Sequence, residues 1–187
     1  MDIPFDVTGI VIETERLLLR PFEETDLQAF YDYASVPGVG EAAGWPHHES
    51  LETSKEILQS FLDRKNVFAV FHKVDNKLIG SVGLHRSWTS KNATYGHLKA
   101  KEIGYALAMD YWGQGLMAEA VCAVIDYGFN NLGLEAFGLA HSPENIRSRR
   151  VAEKCGFTYS ETGKFFSKLK GYEIDDIRHI LLKQSWK

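Results

Sequence analysis

The stretch that most constrains this chain is residues 102–132, EIGYALAMDYWGQGLMAEAVCAVIDYGFNNL. Residues 102–108 read as a strand and Asp110 to Gly115 as a turn with two glycines. Residues 116–132 read as a helix, because Leu116, Ala120, Ala123, Val124 and Tyr127 recur at helical spacing. A strand that enters a helix through such a turn makes an anion site. The first N–H groups of a helix have no intrahelical partner, and the helix dipole is positive at that end. Gly113 and Gly115 carry no side chain to hold an anion away. The expected cradle is therefore the backbone of Gly113, Gln114, Gly115, Leu116 and Met117. No Gly-Lys-Ser/Thr follows, so this is not a nucleoside-triphosphate loop.

Gly113, Gly115 and Ala118 also fit G-x-G-x-x-A, and Glu135 lies twenty residues past Gly115. That keeps an NAD(P)-dependent oxidoreductase open as the alternative. A dinucleotide fold, however, repeats parallel strands and helices. The rest of the chain reads differently. A strand at 10–20 meets Pro21, and Thr25-Asp26 opens a helix. Residues 36–48 read as an ordered loop holding Trp45-Pro46-His47-His48, and Ser50 caps a helix at 53–62. Strands at 67–74 and 77–85 flank an Asp75-Asn76 hairpin turn, followed by a polar connection over 87–100. A strand at 134–141 precedes a helix opened by Ser142 as cap and Pro143 as first residue, ending at Gly156. Strands at 157–166 and 172–182 close the chain. This order implies a single domain over residues 1–187, of α/β class, with a mixed sheet and helices on its faces.

A net charge of -4 argues against general nucleic-acid binding. The one basic cluster, Arg147, Arg149, Arg150 and Lys154, reads most simply as a solvated helix face. Cys122 and Cys155 belong to no metal-binding spacing, so no metal is expected, and they read as small buried thiols. No run approaches the ~18 apolar residues of a membrane span, and the first residues lack a secretory pattern. The expectation is a cytoplasmic protein with no membrane partner.

Five further segments occur in a telling order: TERLLLRPFEETDL, IGSVGL, EIGYALAMDYWGQGLMAEAV, Asn145-Ile146-Arg147-Ser148 and Glu153-Lys154-Cys155-Gly156-Phe157. Together they resemble the GCN5-related N-acetyltransferase (GNAT) superfamily, and within it the RimJ/RimL-like branch that acetylates ribosomal-protein N-termini. The resemblance implies a mostly antiparallel twisted sheet of six to seven strands with about four helices, splayed between the fourth and fifth strands. It implies acetyl-CoA as co-substrate, with its pantetheine arm in that gap beside Leu107, Ala108 and Met109 and bonded by Asn145. The family turn usually opens with Arg or Gln where this chain has Asp110. Asp110 is then expected to point outward, with Arg149 or Arg150 supplying positive potential. The acceptor would be an amine, on a protein N-terminus, a peptide or a small molecule, and the protein a monomer or homodimer. A non-catalytic acyl-CoA sensor is a further alternative.

Acetyl transfer to an amine requires deprotonation of the amine, juxtaposition of the reactants, an oxyanion donor and a proton for the departing thiolate. Ser148 lies three residues after Asn145, on nearly the same helix face, and is the candidate proton donor. A backbone N–H near Leu107 or Ala108 is the candidate oxyanion donor. Glu102 is the candidate base, acting through water; reaction without a dedicated base stays open. Trp45, His47 and His85 are the candidate acceptor contacts. His48 and His141 are weaker ones, and Trp88 and Tyr95 could form a cavity wall or a dimer contact.

Overall fold

The computed structural model describes residues 1–167 and 169–187. Its elements run β1 (Ile12–Glu13), β2 (Leu17–Pro21), α1 (Leu27–Ala34), α2 (Val39–Ala43), α3 (Leu51–Arg64), β3 (Val67–His72), β4 (Lys77–Arg86), β5 (Ala100–Leu107), α4 (Leu116–Asn131), β6 (Ala136–His141), α5 (Ile146–Lys154), β7 (Thr158–Ser167) and β8 (Tyr172–Leu182). The strands form one sheet in the order β1-β2-β3-β4-β5-β6-β8-β7. Among the described strands only β5 and β6 pair in parallel. The repeating parallel units of a dinucleotide fold are therefore absent from them, and the G-x-G-x-x-A reading loses its support.

Among the described residues, eight strands and five helices slightly exceed the expected numbers. The strand read at 10–20 is divided by a turn in which Thr14 N–H donates to Leu17 O at 2.9 Å. The loop read at 36–48 contains α2, a short helix bounded by Gly38 and Gly44, both with positive φ. Another expectation fails at α5. Ser142 and Pro143 do not open that helix. Asn145 caps it, its Oδ1 accepting from Ser148 N–H at 3.0 Å, and residues 142–144 form the turn before it. An amide oxygen two or three residues ahead of the first free N–H groups outcompetes the hydroxyl placed too early.

Side-chain alternation sorts the sheet into two faces. Leu17, Leu19, Phe68, Val70, Ile79 and Ile103 pack against Val121, Val124 and Ile125 of α4. On the other face Ala69, Leu78 and Ala106 meet Phe30 of α1 and Leu58 of α3. Ile125 is fully buried, and truncating it to alanine should cost about 2–5 kcal/mol. Cys122 of α4 meets Cys155, the residue that follows α5, their Sγ atoms 3.2 Å apart as free thiols; Cys155 is buried as expected, but Cys122 only half-buried.

The feature that positions the site is the divergence of β5 from β6. They pair only at Ala100–Ala136, Lys101–Phe137 and Glu102–Gly138. Beyond Glu102 the two strands separate, which is the splay expected between the fourth and fifth long strands. The rest of β5 thus has a sheet partner, β4, on one side only.

Candidate active site

The glycine turn is built for close approach by a ligand. Gly113 and Gly115 both have φ of 79°, and nothing lies within 4 Å of where a Cβ on Gly113 would stand. Gly115 is the residue before the first turn of α4, so the free N–H groups of that helix open beside it. Leu107, Gly113, Gly115, Leu116 and Met117 line a cavity of about 260 Å³ that continues between the splayed strands to Asn145, Ser148 and Arg150.

Three residues expected at this cavity do not line it. Ala108 N–H donates to Ile79 O at 2.7 Å, inside the sheet. Met109 is exposed on a 3-10 turn. Gln114 folds back, its Nε2 donating to Asp110 O at 3.1 Å. Asp110 itself is exposed.

Ladder geometry also separates the two oxyanion candidates. In an antiparallel pair, successive residues turn their backbone groups alternately toward and away from the partner. Ala108 faces β4, so Leu107 faces the gap. Trp112 Nε1 donates to Leu107 O at 2.7 Å, which leaves the Leu107 N–H as the donor directed into the gap. Ala108 is thereby excluded.

Positive charge at the turn comes from Arg150, one of the two arginines expected there, and from Arg16, which the sequence reading did not weigh. Arg16, between β1 and β2, donates through Nη1 to Gln114 O at 3.1 Å, while Glu119 holds its Nε at 2.7 Å. Arg147 stacks over the Trp112 ring, 4.3 Å from its centroid. Arg147, Arg150 and Lys154 all line the cavity, so most of the cluster that read as a solvated face is turned toward this site. Arg149 is paired with Glu153 at 2.8 Å and lies outside the cavity.

A second cavity, of about 280 Å³, lies beyond the junction of α2, β5 and α5. Glu102, His85 and Asp176 are on its walls. Ala42, Ala43, Tyr105, Asn145 and Ser148 line both cavities. At that junction Tyr105 Oη and Ser148 Oγ are 2.8 Å apart, and Ser148 is only 7% exposed. Burial pushes the Tyr105 phenol well above its ordinary pKa, so it stays protonated. Asn145 Nδ2 donates to Ala42 O at 2.6 Å, which fastens α2 to α5 at the same point.

Glu102 is pushed up to about 7, chiefly by burial and further by the negative charge of Asp176. The Trp88 N–H, 2.9 Å from its Oε2, and Arg178 oppose that rise. His85 is the cross-strand neighbour of Glu102, on the same face. Its ring lies over Gly83 and Gly104, where a Cβ at 83 would come within 2.4 Å of Nε2. His85 is exposed, but desolvation of its ring by the groups packed against it, with Arg64 and Lys101 nearby, holds it below the usual histidine pKa.

The other histidines are committed elsewhere. His141 lines the second cavity, but its Nδ1 meets Ser142 O at 2.8 Å and its Nε2 meets His179 Nε2 at 3.1 Å. His48 is buried against Ser54 Oγ. Trp45 and His47, expected to contact the acceptor, line neither cavity. His47 Nδ1 bonds Glu41 at 2.7 Å, an interaction that helps lower the Glu41 carboxyl to about 2. Trp45 packs against His48 and over Gly40. Both therefore lock the loop whose Ala42 and Ala43 reach the junction.

Tyr105, Asp176 and Arg16 were missed. The signal for Tyr105 was a hydroxyl among Ile103, Gly104, Ala106 and Leu107 in the splayed half of β5. Arg16 lies within the TERLLLRPFEETDL segment, but nothing local marked it as a neighbour of the glycine turn, and Asp176 lies far from the motifs. No group of three or more His, Cys, Asp or Glu side chains able to hold a metal ion occurs among the described residues, and no helix among them is long and apolar enough to cross a membrane.

Comparison with known proteins agrees with this geometry. The family model described as acetyltransferase (GNAT) domain matches residues 16–158. The uncharacterized N-acetyltransferase YnaD of Bacillus subtilis is 30% identical over 178 residues, covering 94% of this chain and 98% of that protein. A GNAT-family acetyltransferase from Bacillus anthracis superposes with a TM-score of 0.78 at 25% identity, over 94% of this chain and 99% of the other. A ribosomal-protein-alanine acetyltransferase from Vibrio fischeri superposes with a TM-score of 0.73 at 25% identity, over 96% and 100%.

Proposed function

Since the chain belongs to the acetyltransferase (GNAT) domain family and is one of its N-acetyltransferases, we propose that it passes the acetyl group of acetyl-CoA directly to a primary amine with both substrates bound. The observation that carries this reading is the junction. Two cavities meet at the part-buried Tyr105–Ser148 hydrogen bond, both residues lining each of them.

The first cavity suits coenzyme A. Its backbone donors at Gly115 and Leu116, with Arg150 and Lys154, match a pyrophosphate. Acetyl-CoA supplies an activated thioester. The amine acceptor occupies the second cavity, where Glu102, with a pKa of about 7, takes up its proton directly or through water. The Leu107 N–H faces the gap and stabilises the carbonyl oxygen as charge develops there. Ser148 donates its proton toward the departing sulfur. The 2.8 Å Tyr105–Ser148 contact fits a hydrogen bond in either direction; with Tyr105 as donor in the working complex, the Ser148 hydroxyl hydrogen is free to point at the sulfur. Holding both substrates at one junction supplies the proximity term.

The test is release of coenzyme A thiol from acetyl-CoA across a panel of primary amines. Amine-dependent release that falls strongly in a Ser148→Ala variant supports the reading. Tight acetyl-CoA binding with no release for any amine contradicts it.

A further inference from the structure

The second cavity has an uneven lining, and its pattern follows the register of the last hairpin. Strand β8 pairs with β6 only as far as Ile177–His141, so residues 172–176 and their β7 partners overhang the end of β6. On the overhang, Gly163 faces Asp176, Phe165 faces Ile174 and Ser167 faces Tyr172. These alternate rungs share one face, and Phe165, Ile174 and Asp176 all line the cavity. The Asp176 rung is the inner one, close enough to Glu102 for its charge to act on that carboxyl. One rung outward the surface is apolar. Phe165 is 50% exposed there and Leu169, also on the cavity wall, 39%. Large apolar side chains left open at the mouth of a cavity mark a binding surface.

We propose that the acceptor is an amine carrying an apolar group one rung from its nitrogen, about 7 Å away. The nitrogen sits at Glu102, beside Asp176, which is itself 3.2 Å from Arg178 Nε, and the apolar group lies on Phe165 and Ile174. This rests on the amine-transfer reading and narrows it. An extended polyamine would set its second ammonium against Phe165 and Ile174, where it would lose hydration without gaining a counter-ion. Glu41, the other carboxylate of the cavity, is held by His47 and by the Gly38 N–H. A hydrophobic first residue of a peptide and an arylalkylamine both satisfy the pattern.

The experiment measures kcat/KM by thiol release with acetyl-CoA and four amines: 2-phenylethylamine, a tetrapeptide beginning with Phe, spermidine, and the same tetrapeptide beginning with Ser. The first two should exceed the last two by about tenfold or more, the scale of apolar discrimination in a pocket. Whichever of the two is better distinguishes a small molecule from a chain terminus. Phe165→Ala should erase the preference by raising KM for the apolar amines, with KM for acetyl-CoA unchanged, and Phe165→Leu should restore most of it. Spermidine or the Ser peptide matching the apolar amines would overturn the proposal. So would a Phe165→Ala variant that lowers all four rates equally. No release with any amine would instead refute amine transfer itself, and this narrowing with it.

Discussion

Replacing Glu102 by glutamine removes one half-buried carboxyl while keeping its shape, and the consequence depends on pH in a calculable way. The folded state raises this group from 4.5 to about 7. The folded protein therefore holds a proton there that the unfolded chain has already released at intermediate pH. Between those values the wild type loses stability as pH rises, because ionising Glu102 inside the cavity is unfavourable. Each pKa unit corresponds to about 1.4 kcal/mol, so the loss by pH 8 is about 3 kcal/mol as an upper bound. Partial access of water to the cavity lowers that figure. Glutamine does not titrate and escapes the loss. The Glu102→Gln variant should then gain stability relative to wild type between pH 5 and pH 8, by an amount smaller than that bound. Urea denaturation of both proteins at pH 5, 6, 7 and 8 measures it, since other titrating groups cancel in the difference. The same variant should lose the rise of kcat/KM with pH through about 7. A stability difference flat across this range would refute the burial argument. An unchanged pH–rate profile would refute the assignment of Glu102 as base.

Other perturbations have equally definite outcomes. Tyr105→Phe should lower kcat by about tenfold while leaving the acetyl-CoA affinity measured by calorimetry unchanged. Its defect should shrink with a thioester whose thiol is more acidic, because such a leaving group needs the proton less. Gly115→Val places a β-branched residue at φ of 79° beside the turn and should weaken coenzyme A binding by more than tenfold in the same titration. Arg150→Ala and Lys154→Ala should each raise the Kd for coenzyme A and flatten its dependence on salt, since each loses one screened attraction to phosphate.

Each half of the candidate site was legible only in part: Leu107, Gly113, Gly115, Leu116, Met117, Asn145, Ser148 and Arg150 line the first cavity, but Ala108, Met109 and Gln114 do not, and Glu102 and His85 line the second, but Trp45 and His47 do not. Gly113, Gly115 and Ser148 were picked out by backbone geometry or short-range helix spacing, which local sequence encodes, whereas Asn145, expected to bond the pantetheine arm, has its amide oxygen on Ser148 N–H and its amide nitrogen on Ala42 O. The mixed sheet and its splay followed from element order and the motifs that carried the family resemblance. Trp45 and His47 misled because an aromatic loop suggests a binding surface, whereas packing over Gly40 and a bond to Glu41 use these side chains to fix the loop. Arg16 and Asp176 could not be found because their proximity to the site depends on strand order. Arg16 is nearly a hundred positions from Gln114, its hydrogen-bond partner. Ser142 and Asn145 are three positions apart and both are good caps, so only the observed turn decides between them.

The claim that two cavities meet at one proton-donating junction is tested most directly by varying acetyl-CoA and one active amine together in initial-rate measurements. Direct transfer predicts double-reciprocal lines that intersect, and no acetylated enzyme by mass spectrometry when acetyl-CoA is added alone. Parallel lines, with an acetyl group left on the protein in the absence of amine, would contradict it.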